Sequence, residues 1–488
     1  MKRRRYGAVL AAAALFFAAC GSDEEASPGT AAPVEEGETT DPPAADATDP
    51  PAADATDPPA ADATDPPAAD ATDPPTAGGG DASQMDADGE SVCGLGNGEA
   101  ADGEPIKLGG IVTSVPGIGF DLITDQTAAY FDCVNANGGI YGRPISYTVE
   151  NDELDPAKAG AVAAKLVESD GVVALVGSTS ILDCPVNGNY YTEQKIYAII
   201  AGVPAECFGV PNMAAVNMGP HYSALGAGQA VVRAGAVGKL VAVTGVAPGS
   251  EYNNTGVEAL AADQGYEYET VQVPLPISDA DTIILDIVSK AGAGGGVILT
   301  FTPPEMIKLM VAAENQGVIE DVIWGSATPA NDGSVAAAVG PDWDGKLLIN
   351  VEFEPTDKDG PDTRLYTSIS TEYGGDQPLG SFGQMGFLTG RIMTNALLSM
   401  GADAEFTREN VGAAILAISK FESDMFCQPW YFGDLPLHIP NNWDITVVPD
   451  SASGRMVKSE ECFAIAALDD PLIDTRAAEV ELGLGAES

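Results

Sequence analysis

"ISYTVENDELDPAKAGAVAAKLVES" runs from Ile145 to Ser169 and changes its repeat halfway. Its first seven residues are rich in β-branched and aromatic side chains, as a strand is. Asp155-Pro156 then supplies an N-cap and a first helical position, where proline's missing N–H costs nothing. Small and apolar residues continue at helical spacing to Ser169. A strand that passes within a few residues into a helix is half of a βαβ unit.

The pattern recurs on both sides. IKLGGIV (106–112) precedes it and leads to a helical pattern from Asp121 to Asn137, which Gly138-Gly139 stops. VVALVG, YAIIAG, LVAVTGV, YEYETVQV, GVILTFT, DVIWGS and KLLINVEF follow it, with helices beginning near Glu251, Asp279 and Pro303. Short apolar strands separated by helices predict an α/β fold with parallel central sheets. The length beyond Pro105 suits two Rossmann-like lobes. A long helix is predicted over 380–401 and another from Thr407, before a Cys-bounded C-terminal segment.

The start of the chain reads differently. Lys2 to Arg5 precede a 14-residue apolar run, Tyr6 to Ala19, which ends on Cys20. Crossing a bilayer takes about 20 residues, so the run predicts a cleaved export signal over 1–19. Phe17-Ala18-Ala19-Cys20 resembles a lipobox, which implies lipidation at Cys20; an ordinary secretory peptide is the alternative. From Asp41 the unit DPPAADAT occurs four times and ends in DPPTAGGG. Residues 20–105 are therefore expected to be an acidic, disordered tether. If fully polyproline-like, Asp41 to Pro75 would reach roughly 110 Å.

The chain carries 72 acidic and 22 basic residues, a net charge of −50. Such a surface excludes nucleic acid, whose binding needs Lys and Arg on phosphates. It also disfavours anionic lipid, so membrane attachment falls to Cys20. Six cysteines remain. In an exported chain they predict disulfides, and sequence proximity suggests Cys184–Cys207 and Cys427–Cys462, leaving Cys93–Cys133. With no CxxC pair and only His221 and His438, no metal site and no cofactor are expected.

Signatures of catalysis are missing. GSTSI (177–181) lacks the second glycine of a nucleophile elbow, and Leu122 replaces the third glycine after Gly117-Ile118-Gly119. Gly292–Gly296 precedes a strand instead of following one, and Asp357-Lys358-Asp359-Gly360 reads as a surface turn. The expectation is a binding protein, not an enzyme.

Asn137-Gly138-Gly139-Ile140-Tyr141-Gly142-Arg143-Pro144-Ile145, with Asp152 and Asp155-Pro156-Ala157-Lys158-Ala159, resembles the extracytoplasmic solute receptors of ABC importers whose best-known members bind leucine, isoleucine and valine. VALVGSTS, IAGVPA, Gly249-Ser250-Glu251-Tyr252 and Pro304-Glu305-Met306 follow in the family's order, and the resemblance covers about 106–448. It implies a type I periplasmic binding fold: two lobes, a three-segment hinge, a cleft that captures solute, and a permease and ATPase as partners. A monomer is expected. Lobe 1 is placed at about 106–221 and 354–400, and lobe 2 at about 222–353 and 401–465.

In open parallel sheets ligands lie outside the carboxyl ends of strands. Ser178, Thr179 and Ser180 fall at one such end, either as ligand contacts or as helix caps. Gly202 and Val203 fall at the next, without the hydroxyl that the family often has there. The resemblance makes Tyr252 a residue that closes over ligand, facing the same crevice as Ser178–Ser180. It puts Thr302 where amino-acid binders have a second tyrosine, and Ala327, beside Thr328, where they have a glutamate for the α-ammonium. Phe120 is expected as an apolar wall. Without that glutamate the expected solute is a small polar organic molecule, amino-acid-like, an amide, urea-like or an organic acid, with the usual zwitterion disfavoured. A sensing lipoprotein or a surface scaffold of the same fold are the alternatives to import.

Overall fold

The computed structural model describes residues 84–375, 377–433 and 439–484. The expected signal segment, Cys20, the repeat and His438 lie outside them. The first lobe is built from β1 (Ile106–Val112), a hairpin of β2 (Ser114–Val115) and β3 (Ile118–Gly119), α1 (Asp121–Ala136), β4 (Ile145–Asn151), α2 (Pro156–Ala164), β5 (Ala174–Val176), α3 (Asp183–Gln194), β6 (Ala198–Ile200) and β7 (Met213–Ala215). Its sheet is parallel throughout, in the order β4-β1-β5-β6-β7. Asp155 caps α2 by accepting the N–H of Ala157 at 2.8 Å, with Pro156 next in line.

The second lobe holds α4 (Gly219–Arg233), β8 (Lys239–Gly245), α5 (Thr255–Gln264), β9 (Glu267–Val273), α6 (Ala280–Ala291), β10 (Gly296–Thr300), α7 (Pro303–Gln316), β11 (Ile323–Ser326), α8 (Gly333–Ala338) and β12 (Leu347–Val351). The chain then returns to the first lobe for α9 (Pro361–Glu372), α10 (Ser381–Ser399) and α11 (Arg408–Leu416). It crosses again for β13 (Trp443–Asp450), β14 (Arg455–Ala464) and α12 (Asp470–Glu481). The second sheet runs β14-β13-β12-β11-β10-β8-β9. Only β13 and β14 are antiparallel to their neighbours. The five parallel strands of each lobe share one order, that of a doubly wound fold. Strand β10 is buried at every position, as a strand covered by helices on both faces must be.

Helix α10 is the first lobe's central support, with all but two of its 19 residues buried. Glycine lets it approach α1 closely: a Cβ on Gly390 would stand 2.8 Å from the Tyr130 ring. The two helices share a core with Phe387, Ile392 and Leu397.

Two boundaries differ from expectation. Residues 401–432 pack in the first lobe, because Val411, Ile415, Phe421 and Trp430 join its core and α11 lies on α10 and β5. The third crossing therefore lies between Phe432 and Trp443. The expected tether also ends earlier, since residues 84–104 form an ordered strap on the first lobe. Arg391 donates to the carbonyls of Val92 and Gln84, and Gln84 Nε2 donates to the Arg391 carbonyl at 3.0 Å. Disulfides join Cys93 to Cys133 on α1, Cys184 to Cys207, and Cys427 to Cys462 on β14, with Cα separations of 5.9, 5.0 and 5.9 Å.

Candidate functional site

A cleft of about 820 Å³, partly open to solvent, lies between the lobes. Its walls come from the carboxyl ends of strands in both sheets. Gly117, Ile118 and Phe120 follow β1, Ile181 follows β5, Gly202 and Val203 follow β6, and Asn217 follows β7. Opposite them stand Thr244 and Ser250 around the end of β8, Leu275 after β9, Thr300–Thr302 at the end of β10, Thr328 after β11 and Glu352 after β12. Phe382 and Met385 on α10 close one side. The lips meet: Leu275 and Pro276 stand so close to Gly117 that a Cβ there would lie 3.2 Å from both. Gly117 has φ +90°, a backbone region open to glycine.

Five expected site residues therefore share the cleft: Phe120, Gly202, Val203, Thr302 and Thr328. The others do not line it. Ser178, Thr179 and Ser180 are buried beside it. Ser180 Oγ donates to Asp152 and accepts the N–H of Leu182 and Asp183 at 2.9 and 2.8 Å, so it starts α3. Ser178 Oγ accepts the Ile111 N–H at 3.1 Å. Their polar atoms are occupied in holding the switch point of the sheet together, with Thr113 donating to the same Asp152 at 2.8 Å. Thr179 is buried and its hydroxyl has no partner, but it too lies off the cleft wall.

Tyr252 stacks on His221 at 4.3 Å and lines an adjoining hollow with Phe208, Tyr222 and Pro471, which meets the cleft at Val203, Gly219 and Pro220. It does not share a crevice with Ser178–Ser180, contrary to expectation. The cause is His221, whose ring, hydrogen-bonded at Nδ1 to the Tyr252 carbonyl at 3.1 Å, holds the tyrosine against α4. Ala327 is fully buried and its N–H is spent on the Leu299 carbonyl at 2.9 Å.

Glu352 is the residue that the sequence did not single out. Its carboxyl accepts the Thr328 hydroxyl; Ser223 Oγ bridges Thr328 Oγ1 at 2.8 Å and donates to Asn350 Oδ1 at 2.7 Å. Burial pushes Glu352 up to about 7, against the Thr328 hydroxyl and the main-chain N–H groups of Glu352 and Met218, which favour its ionised form. It is the one ionisable side chain among the described residues lining the cleft. Asn217 Nδ2 donates to the Gly202 carbonyl at 2.8 Å, leaving Oδ1 without a partner, and Thr300 Oγ1 has none either. Most of the remaining wall is carbon, so a wholly polar solute would leave much of it unsatisfied. Among the described residues no cluster of His, Cys, Asp and Glu could hold a metal ion, and no helix is long and apolar enough to cross a membrane.

A family model described as periplasmic binding protein matches residues 106–448. Among curated proteins none matches. The chain is similar in structure to a fatty acid ABC transporter substrate-binding protein from Thermomonospora curvata, at 19% identity and TM-score 0.63 over 79% of this chain and 97% of that one. It is similar to a branched-chain amino acid ABC transporter protein from Thermus thermophilus with bound valine, at 15% and 0.64 over 75% and 97%. It also resembles a solute-binding protein from R. palustris in complex with benzoate, at 20% and 0.62 over 76% and 99%.

Proposed function

Because this chain belongs to the periplasmic binding protein family, we propose that it is the extracytoplasmic, lipid-anchored solute-binding component of an ABC importer. It takes a small organic solute with a largely apolar body into the interlobe cleft and closes over it about the three crossing segments. The observation that carries this reading is the convergence of strand-end loops from both sheets on one cleft. A permease and an ATPase are its partners, and Cys20 is its anchor. Solute shifts the balance toward closure only by its extra contacts with the closed form.

Thermal-shift screening followed by small-angle scattering tests this reading. A solute at 100 times its dissociation constant should stabilise the protein by about 2.7 kcal/mol, and scattering should show compaction. Stabilising solutes that leave the radius of gyration unchanged would overturn hinge closure. Cys20→Ser should move the protein from the membrane fraction to the medium or periplasm; retention would overturn the anchor.

A further inference from the structure

The polar part of the cleft wall holds a carboxyl, Glu352, an unpartnered amide oxygen, Asn217 Oδ1, and an unpartnered hydroxyl, Thr300 Oγ1. Glu352 is 1% exposed, and its carboxyl accepts donors without facing any Lys, Arg or His on the wall. Asn217 is 6% exposed, and its orientation is fixed by the bond to the Gly202 carbonyl, so the free atom is Oδ1. Asn441 Nδ2 donates to the main-chain carbonyls of Val216 and Glu352 at 2.9 and 3.1 Å, which ties the end of β7, where Asn217 follows, to the end of β12. Phe120, Leu275, Phe382 and Met385 supply the apolar remainder.

Resting on the reading of this cleft as the solute site, we propose that the solute is an organic monocation: a protonated amine on an apolar body, its ammonium held by the Glu352 carboxylate and Asn217 Oδ1. An ammonium carries three donors and no acceptor, which fits a carboxylate with no cation beside it and an amide oxygen, Asn217 Oδ1, that lacks a donor. A carboxylate solute would meet a like charge with no side-chain cation to offset it, and burying an unpaired charge is costly. The net charge of −50 adds a long-range field that gathers cations toward the protein.

The groups around Glu352 leave it as the titrating partner. Thr328, Ser223 and Asn350 are neutral, and Asn441 bonds the Glu352 main-chain carbonyl at 3.1 Å. Asp444 of β13 is an ionisable group that interacts with Glu352. Burial holds its carboxyl well above the usual carboxylate range.

The test is calorimetric titration of the purified chain with phenethylamine and hexylamine. Each is matched against its carboxylate (3-phenylpropionate, heptanoate), an alcohol of the same body, and phenylalanine as the zwitterion. The amines should bind at least tenfold more tightly than their matches. Glu352→Gln should weaken amine binding about 100-fold, the scale of removing one partner of a buried ion pair. If that variant does not fold, the unmodified chain carries the test. Its amine affinity should fall about tenfold for each pH unit below about 7, while the amine itself stays protonated. A carboxylate, alcohol or zwitterion that binds as tightly as the amine, or amine affinity flat from pH 5 to 8, overturns the cation assignment and leaves the cleft as a solute site. Failure of all four classes to bind overturns both.

Discussion

Arg391 and Asp362 form an ion pair of 2.7 Å whose side chains are 5% and 4% exposed. Ser91 of the strap completes it, accepting from Arg391 Nη2 at 2.9 Å and donating to Asp362. Removing one partner leaves a buried charge uncompensated. Arg391→Met should lower stability by roughly 3–5 kcal/mol and expose the strap near Glu90 to protease. Urea unfolding with limited proteolysis checks this; a loss below about 1 kcal/mol would show that the pair is not holding the strap.

Glu352 makes the empty protein pH-sensitive. Its carboxyl is raised from 4.5 to about 7 in the folded state. Its contribution to stability is therefore fully present below the unfolded value and is lost as pH rises through about 7. The span corresponds to roughly 3 kcal/mol. Glu352→Gln should flatten that part of the profile and leave the empty protein more stable than the parent at pH 8. Thermal unfolding between pH 4.5 and 8.5 reads the difference.

Thr300 is a second case in which the empty cleft sacrifices stability. Its hydroxyl is buried without a partner, and an unmade hydrogen bond costs about 1–3 kcal/mol. Thr300→Val keeps the shape and should stabilise the solute-free protein by about 1 kcal/mol while weakening solute binding. A variant less stable than the parent would mean that the hydroxyl is satisfied in solution.

Tyr252 belongs to the hollow around His221, so its deletion should act on stability alone. Tyr252→Ala removes the stacked ring at 4.3 Å and should cost about 1–2 kcal/mol with solute affinity unchanged. A tenfold loss of affinity would return the tyrosine to the site.

Cys427 lies at the approach to the third crossing and Cys462 on the second sheet. Cross-linking a loop of this size typically contributes about 3 kcal/mol. Cys427→Ser with Cys462→Ser should lower the melting temperature by several degrees. It should also widen the solute-free particle in scattering, because the crossing then loses its covalent tie to the second sheet. An unchanged radius would mean that the bond does not restrain the lobes.

How far the sequence revealed this molecule depended on where each interaction closes. β1, β8 and β10 were legible because strands covered on both faces become apolar runs, and Asp155-Pro156 marked α2 because a cap is a local bond. Met213–Ala215 of β7 is too short to show a period. β13 and β14 read only as a cysteine-bounded tail, since their pairing is with β12 far back in the chain. In the site, Phe120 lines the cleft with Thr302 and Thr328, which the family resemblance supplied, and with Gly202 and Val203, which strand-end position supplied. Strand-end position failed at Ser180 because Asp152, on another loop, had already taken its hydroxyl. Glu352 gave no signal: in VEFE it looks like any acid at a strand end, and only burial among Thr328, Met218 and Asn441 sets it apart.

The strap has a mechanical consequence. Every partner named for residues 84–104, from Arg391 to Cys133, belongs to the first lobe. Whatever grips the chain upstream of Gln84 therefore grips that lobe as a fixed mount. Seen from the point of attachment, the second lobe is the swinging jaw, and capture leaves the orientation of the mount undisturbed.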